Sequence, residues 1–473
     1  MGDVGKGSEI ELLIEKLAFG GKALARLDGL VVFVDHALPG QRVRVKITRK
    51  KRQFAEGYVL ERLSQSPHYM EPVCPHFGVC GGCSWQDLQY EEQLHWKRLH
   101  VLESLEHLAG VSEATVLPSV PSPSAIWYRN KMEFTFSNRC WVERLDMDSE
   151  KIPRSESLAL GLHVRRSFEA VLNIDQCFLE SPLAVEILKE VRGWCRETRL
   201  PAYNTRDHQG FWRFLVIREG KRTNQLLVHL LTSSQGDNGG VVERLATHLH
   251  ARFTEITTFV HSLTDSKAQV ASGGRSRNLI GPGFIEERMG SLQFRISPHS
   301  FFQTNTLAAE QLYNAILQLG EFTGRETVWD LYCGTGSIAL FIAAHVRQVV
   351  GFEVSEEAIQ DAYENCGLNG VDNCSFVAGD LKDVMRKVTE SFPNKPSPDV
   401  VITDPPRAGM HPYVLKTLVE VAPPSIIAVS CNPATIARDL MVLLEHYHLE
   451  SVQPFDLFPH TPHIECLVKL KKK

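Results

Sequence analysis

Ser430-Cys431-Asn432-Pro433 places a thiol where an apolar run, Ser425 to Val429, gives way to a helix-forming stretch from Ala434 to His446. A run of that kind reads as a buried parallel strand, so Cys431 is expected between a strand end and a helix N-terminus. Such a position lowers a thiol's pKa and makes the thiolate a nucleophile. Asp404-Pro405-Pro406-Arg407 stands upstream, and Glu465 follows in Thr461-Pro462-His463-Ile464-Glu465. A lone intracellular cysteine is more often a small core hydrophobe. With Asp404 and Glu465 in register around it, the nucleophile is the favoured reading.

A second constellation, Asp330-Leu331-Tyr332-Cys333-Gly334-Thr335-Gly336-Ser337, ends one strand and opens a helix. Its glycines let a ligand approach the backbone closely, and Glu353, ending the next strand, can take both hydroxyls of a ribose. A dinucleotide fingerprint needs a third glycine where Ala339 stands, and Asp330 would repel a pyrophosphate. A cationic, phosphate-free ligand such as S-adenosylmethionine suits an acidic loop better, with Asp380 on its adenine side. A third group, Cys74, Cys80 and Cys83, lies among Pro75, Gly78, Gly81 and Gly82. Three thiols on one tight loop are a metal signature that needs a fourth ligand. Cys177 is the candidate, Cys140 and Cys195 its competitors; zinc and an iron–sulfur cluster both fit the spacing.

These residues must be positioned by larger elements. From Glu326 the chain alternates strands and helices as a doubly wound parallel sheet does, with strands at Thr327–Cys333, Val349–Val354, Ser375–Asp380, Asp399–Asp404 and Ser425–Cys431. Asp404, Cys431 and the glycine loop then share the carboxyl edge where such sheets bind ligands. Residues 8–64 read as four or five short strands, at Glu9–Leu17, Leu30–Asp35, Gln41–Lys50 and Phe54–Leu63, which suggests a small OB-type barrel. Tyr90 to His107 reads as an amphipathic helix. The expected division is 1–64 for the barrel, 65–296 for a central α+β domain with the cysteines, and 297–473 for the Rossmann-like domain.

The net charge of −5 gives no general affinity for nucleic acid, but Arg42, Arg44, Lys46, Arg49, Lys50, Lys51 and Arg52 make one concentrated basic run. It is either an RNA footprint or a solvated strand. Eleven cysteines, an odd number, speak for a reducing compartment rather than a disulfide framework. No apolar run approaches the roughly 18 residues that cross a bilayer. The first residues show no signal or import pattern, so a cytoplasmic location is expected, an organelle only after removal of a transit peptide.

Taken together, Cys74/Cys80/Cys83 with Cys177, Tyr128-Arg129-Asn130-Lys131, Ser300-Phe301-Phe302-Gln303-Thr304-Asn305, Asp330-Leu331-Tyr332-Cys333-Gly334, Asp404-Pro405-Pro406-Arg407, Ser430-Cys431-Asn432-Pro433 and His463-Ile464-Glu465 resemble the RNA 5-methyluridine methyltransferases over almost the whole chain. The likeness includes their OB-like N-terminal TRAM domain. It implies a [4Fe–4S] cluster on the four cysteines. It also implies a methyl-donor pocket lined by Gln303, Tyr332, Ser337, Glu353, Asp380 and Asp404. Where many relatives have an Asn-rich strand, this chain has His261-Ser262-Leu263-Thr264.

The chemistry implied starts from C5 of uracil, which is too weak a nucleophile to take a methyl group unaided. Cys431 adding to C6 would make C5 nucleophilic; Glu465 would then remove the C5 proton. The base must leave its stack to reach the thiol. Ribosomal RNA is the favoured substrate and transfer RNA the second; the protein is expected to act as a monomer. Radical methylthiotransferases combine a cluster with a TRAM-like barrel but use Cys-x3-Cys-x2-Cys and lack the Cys431 motif. A non-catalytic RNA-binding or RNA-folding factor is the alternative, opposed by the intact set Cys431, Glu465 and Asp404.

Overall fold

In the computed structural model, which describes residues 4–112, 115–141, 158–165, 167, 169–236, 239–385 and 397–473, the glycine-punctuated N-terminal segment forms six strands. They are β1 (Glu9–Leu13), β2 (Lys16–Leu17), β3 (Ala23–Leu27), β4 (Leu30–Asp35), β5 (Arg42–Lys50) and β6 (Phe54–Arg62), ordered β1-β5-β6-β4-β3-β2. Glu9–Leu17 is therefore two strands rather than one, and β3 was not expected. On β5, Val43, Val45 and Ile47 point into the core while Arg44 and Lys46 alternate outward. The core of this unit reaches past residue 64, taking in Trp85, Leu88 and Trp96.

Helix α1 (Tyr90–Ala109) joins two units. Its Trp96 packs with the N-terminal core, whereas Val101, Leu102 and Leu105 pack under the C-terminal sheet. Gln93, Lys97 and His100 are buried as well, so the helix has no simple polar face; each of the three finds a hydrogen-bond partner, as burial demands.

The central sheet holds β7 (Lys131–Ser137), β8 (Ala159–His163), β9 (Val171–Asn173), β10 (Trp212–Glu219), β11 (Leu226–Thr232), β12 (Ile256–Leu263) and β13 (Arg275–Ile280), in the order β13-β12-β11-β10-β7-β8-β9. Helices α2 (Pro182–Thr198) and α3 (Val241–Arg252) cover one face, burying Ile187, Leu188, Leu245 and Leu249 against Phe134, Leu215 and Val228. The hairpin β14 (Ile285–Met289) and β15 (Leu292–Ile296), expected with this unit, packs instead into the C-terminal core through Ile285, Met289, Phe294 and Ile296.

The C-terminal unit begins with α4 (Thr306–Gly320) and alternates as expected: β16 (Thr327–Leu331), α5 (Ser337–Ala343), β17 (Gln348–Glu353), α6 (Glu356–Asn369), β18 (Cys374–Ala378), β19 (Val400–Thr403), α7 (Pro412–Val421), β20 (Ser425–Ser430) and α8 (Pro433–Leu443). Two further strands, β21 (Tyr447–Phe455) and β22 (Glu465–Lys472), complete the order β18-β17-β16-β19-β20-β22-β21. The first five are parallel, and β22 runs antiparallel to β20. Ile426 to Val429 are fully buried, because hydrophobic clusters cover the sheet on both faces. Among the described residues, no helix is long and apolar enough to cross a membrane.

Candidate active site

Strand direction decides where the chemistry gathers. The register pairs Ser430 with Cys466, so Glu465, the first residue of an antiparallel strand, comes to lie opposite Cys431 at the carboxyl edge of β20. Asp404 follows β19 at the same edge, its N–H donating to the Leu331 carbonyl at 3.3 Å. Asn432 ties the two loops together: its side-chain Nδ2 donates to the Arg407 carbonyl at 3.2 Å, while its Oδ1 accepts the Ala434 N–H at 3.1 Å and caps α8.

The charge state of Cys431 differs from expectation. Burial first, and the neighbouring Glu465 second, push the thiol up to about 11, against the pull of Arg407. A helix N-terminus does stand beside the sulfur, but its first N–H groups are already used. Asn432 caps Ala434, and Pro433 has no N–H to offer. Glu465 also holds its proton well above the usual carboxylate range, through burial and then Asp404, with Arg407 opposing. Burial pushes Asp404 up to about 6. Asp330 beneath the glycine loop is raised too, by burial and then by Asp404 and Glu353. Asp404 thus raises both Glu465 and Asp330, a repulsion that a nearby cation would relieve.

Of the other residues assigned to a methyl donor, Tyr332, Ser337 and Glu353 stand at this edge, where β16 and β17 end. Glu353 is held at both oxygens, accepting from Gly334 N–H at 3.1 Å and Ser355 N–H at 2.9 Å. Tyr332 takes φ +65°, an uncommon conformation for a residue other than glycine. A Cβ on Gly334 would meet nothing within 4 Å, so that glycine leaves open space above the loop. Gly336 (φ +75°) packs tightly instead: a Cβ there would lie 3.1 Å from Ala362 and Phe376. Ser337 shares a 2.9 Å hydrogen bond with Tyr313. Asp380 lies further out, ion-paired with Lys382 at 2.8 Å. Gln303 is buried in a loop that Thr335 reaches by donating to the Phe301 carbonyl at 3.3 Å.

Asn130 brackets that loop, its Nδ2 donating to the Gln303 carbonyl and to Thr306 Oγ1, both at 2.8 Å. Asn305 caps α4 and donates to the Leu457 carbonyl at 3.1 Å. These bracing roles, and an aromatic–cation chain at the mouth of the crevice, were not anticipated. In that chain Arg129 sits over Phe458 at 5.9 Å, Phe458 meets His463 edge-on at 5.9 Å, and His463 lies 3.5 Å from Arg407. The motifs containing Asn130, Asn305 and His463 were visible in the sequence; their partners were not.

Cys74, Cys80, Cys83 and Cys177 are all partly buried free thiols. Cys177 raises the thiol pKa of each of the other three, so the four come together from distant segments. Of its competitors, Cys195 lies in the central core and Cys140 accepts from Asn173. Gly82 N–H already points at Cys80 Sγ at 3.3 Å, the kind of donor that supports a thiolate ligand. Even so, among the described residues no three or more His, Cys, Asp or Glu side chains close to metal-binding spacing.

The sequence pattern of the tRNA (uracil-5-)-methyltransferase family matches residues 284–473, and that of the TRAM domain residues 4–60. An uncharacterised RNA methyltransferase of Nitratidesulfovibrio vulgaris is 39% identical over 467 residues, spanning 99% of this chain and 97% of its own. One from Chlorobaculum tepidum is 40% identical over 98% of this chain and 96% of its own. The crystal structure of the Pyrococcus abyssi tRNA (uracil-54, C5)-methyltransferase in complex with S-adenosyl-L-homocysteine aligns with a TM-score of 0.73 at 28% identity, covering 98% of this chain and all of that one.

Proposed function

Because this chain belongs to the RNA methyltransferases and its C-terminal unit matches the tRNA (uracil-5-)-methyltransferase pattern, we propose that it uses S-adenosylmethionine to methylate C5 of a uridine in RNA through a covalent Cys431–C6 bond. The observation that carries this reading is the antiparallel register that sets Glu465 opposite Cys431, with Asp404 and Arg407 alongside. Gln303, Tyr332, Ser337, Glu353, Asp380 and Asp404 hold the donor, Glu353 already oriented by two N–H groups. Its sulfonium supplies the methyl group and a positive charge among the acids.

Cys431 adds to C6 as the thiolate, and C5 becomes nucleophilic and takes the methyl group. The ionised Glu465 then removes the C5 proton; the C6–S bond breaks and the thiolate returns. A carboxyl whose pKa is raised is a stronger base once ionised, which suits Glu465 to this step. Arg407, exposed at the rim, is suited to a backbone phosphate. Ribosomal RNA is the first candidate substrate, on the combination of TRAM and cysteine motifs, and transfer RNA the second.

Cys74, Cys80, Cys83 and Cys177 would hold a [4Fe–4S] cluster, which would cross-link the 74–83 loop to the segment before α2. Purified without air, the chain should contain roughly four iron and four sulfide, and Cys177→Ser should lose both; stoichiometric zinc instead would replace the cluster with a structural site. The central test uses Glu465→Gln. This variant should stall after methylation and leave an RNA–protein band on a denaturing gel. The band should vanish when Cys431→Ala is added, and Cys431→Ala alone should bind donor normally but transfer no methyl group. Normal turnover by Glu465→Gln would remove Glu465 from the mechanism.

A further inference from the structure

The segment entering Tyr128-Arg129-Asn130-Lys131 contains an aromatic residue in a conformation that bulky side chains rarely adopt. Trp127 has φ +51°. Two backbone hydrogen bonds impose it: Trp127 N–H donates to the Phe178 carbonyl at 2.7 Å and Arg129 N–H to the Leu179 carbonyl at 2.9 Å. Strain of this kind persists only where the surroundings over-determine it, and it gathers at functional sites. Here it holds out an indole that is 45% exposed. The ring lies offset and nearly parallel to Phe178, at 14° with centroids 6.5 Å apart, so the two form one shelf.

A single exposed aromatic is ordinary on a protein surface. This one differs in being strained, in being paired flat with a second ring, and in its neighbours. Arg129, two residues on, begins the chain through Phe458 and His463 to Arg407 at the mouth of the crevice. Through Arg129 the shelf is joined along the chain to a run of contacts that ends at Arg407, beside Cys431.

We propose that Trp127 and Phe178 form a stacking shelf for an unpaired base of the substrate RNA, beside the uridine that enters the crevice. The inference rests on the reading of this chain as an RNA uridine methyltransferase. A uridine drawn out of its stack leaves neighbouring bases without partners. Aromatic faces take any base, and the exposed guanidinium of Arg407 suits a phosphate near the crevice.

Wild-type chain, Trp127→Phe and Trp127→Ala are compared in two assays. In the first, a short single-stranded oligouridylate is titrated while tryptophan emission is recorded; the difference between wild type and Trp127→Phe reports this one indole. It should be quenched on binding. In the second, methyl transfer to total RNA lacking 5-methyluridine is measured. Trp127→Ala should raise KM for RNA roughly 5- to 100-fold, the range for loss of one base–aromatic stack. Its kcat should stay within about twofold, because stacking away from the reacting atoms contributes binding and not chemistry. Trp127→Phe should remain near wild type, and donor affinity should match in all three. An indole that ignores the oligouridylate leaves the shelf to a protein partner and overturns the proposal. So does an unchanged KM, or a Phe variant as impaired as Ala, which would make the residue purely structural. Quenching without any 5-methyluridine formation would instead sink the methyltransferase reading while sustaining RNA on the shelf.

Discussion

At Cys431, burial and Glu465 outweigh Arg407, and the thiol is pushed up to about 11. At rest Cys431 is therefore a thiol, and in the proposed reaction its attack awaits deprotonation. Below the pKa each added pH unit raises the thiolate fraction tenfold, so at pH 8 roughly one chain in a thousand carries it. Alkylation of Cys431 by iodoacetamide in the free protein, followed by peptide mass spectrometry, should accelerate about tenfold per pH unit from 7 to 9. No plateau is expected in that range. A plateau below pH 8 would mean that the helix end and Arg407 prevail and the thiol is activated before substrate binds. The same burial raises Glu465 well above the usual carboxylate range and Asp404 to about 6.

Helix α1 shows how one element can couple two units. Lys97 on its inner face donates to Asp456 at 2.5 Å and to the Phe458 carbonyl at 3.1 Å, and neither charged side chain is exposed at all. Phe458 lies on the connection from β21 to β22, whose first residue is Glu465. Lys97→Met would leave Asp456 as an uncompensated buried charge, at a cost of about 3–5 kcal/mol. Chemical denaturation should show that loss, and kcat should fall with it because the connection to Glu465 is released. Adding Asp456→Leu should restore much of the stability, since an apolar pair can replace a buried ion pair. Full stability in the single variant would show that water or rearrangement compensates Asp456.

Over the whole molecule, the charge of −5 confines RNA attraction to particular surfaces, and the N-terminal basic run is narrower than its sequence suggests. Arg44 pairs with Glu61 at 2.6 Å and Glu11 at 3.3 Å, Arg42 reaches Glu11 at 3.9 Å, and Arg49 reaches Glu56 at 3.6 Å. Lys50, Lys51 and Arg52, exposed where β5 turns into β6, have no acidic ion-pair partner among the described residues and are the cations best placed for phosphate. Replacing these three with Gln should flatten the salt dependence of RNA affinity by roughly 2, at about 0.7 per single-strand phosphate contact. Donor binding should not change. An unaltered slope would make the run a solvated edge and move the RNA track to the surface around Arg129 and Lys131.

The parts legible in the sequence are those written in local order. Apolar runs of strand length, each ending in Asp330, Glu353, Asp404 or Cys431, show that a doubly wound sheet carries chemistry along one edge. Alternation on β5 likewise shows which cations face outward. Tertiary structure decided what depends on distant neighbours. It turned β22 antiparallel, so that Glu465 arrives at the edge by the start of its strand rather than its end. It brought Cys177 near the 74–83 loop, moved the β14–β15 hairpin into the C-terminal core, and spent the helix end beside Cys431 on Asn432 and Pro433. The thiol's protonation was the plainest reversal. A motif records which groups lie along the chain, but a pKa follows the water and charge removed around a group by every segment that folds against it.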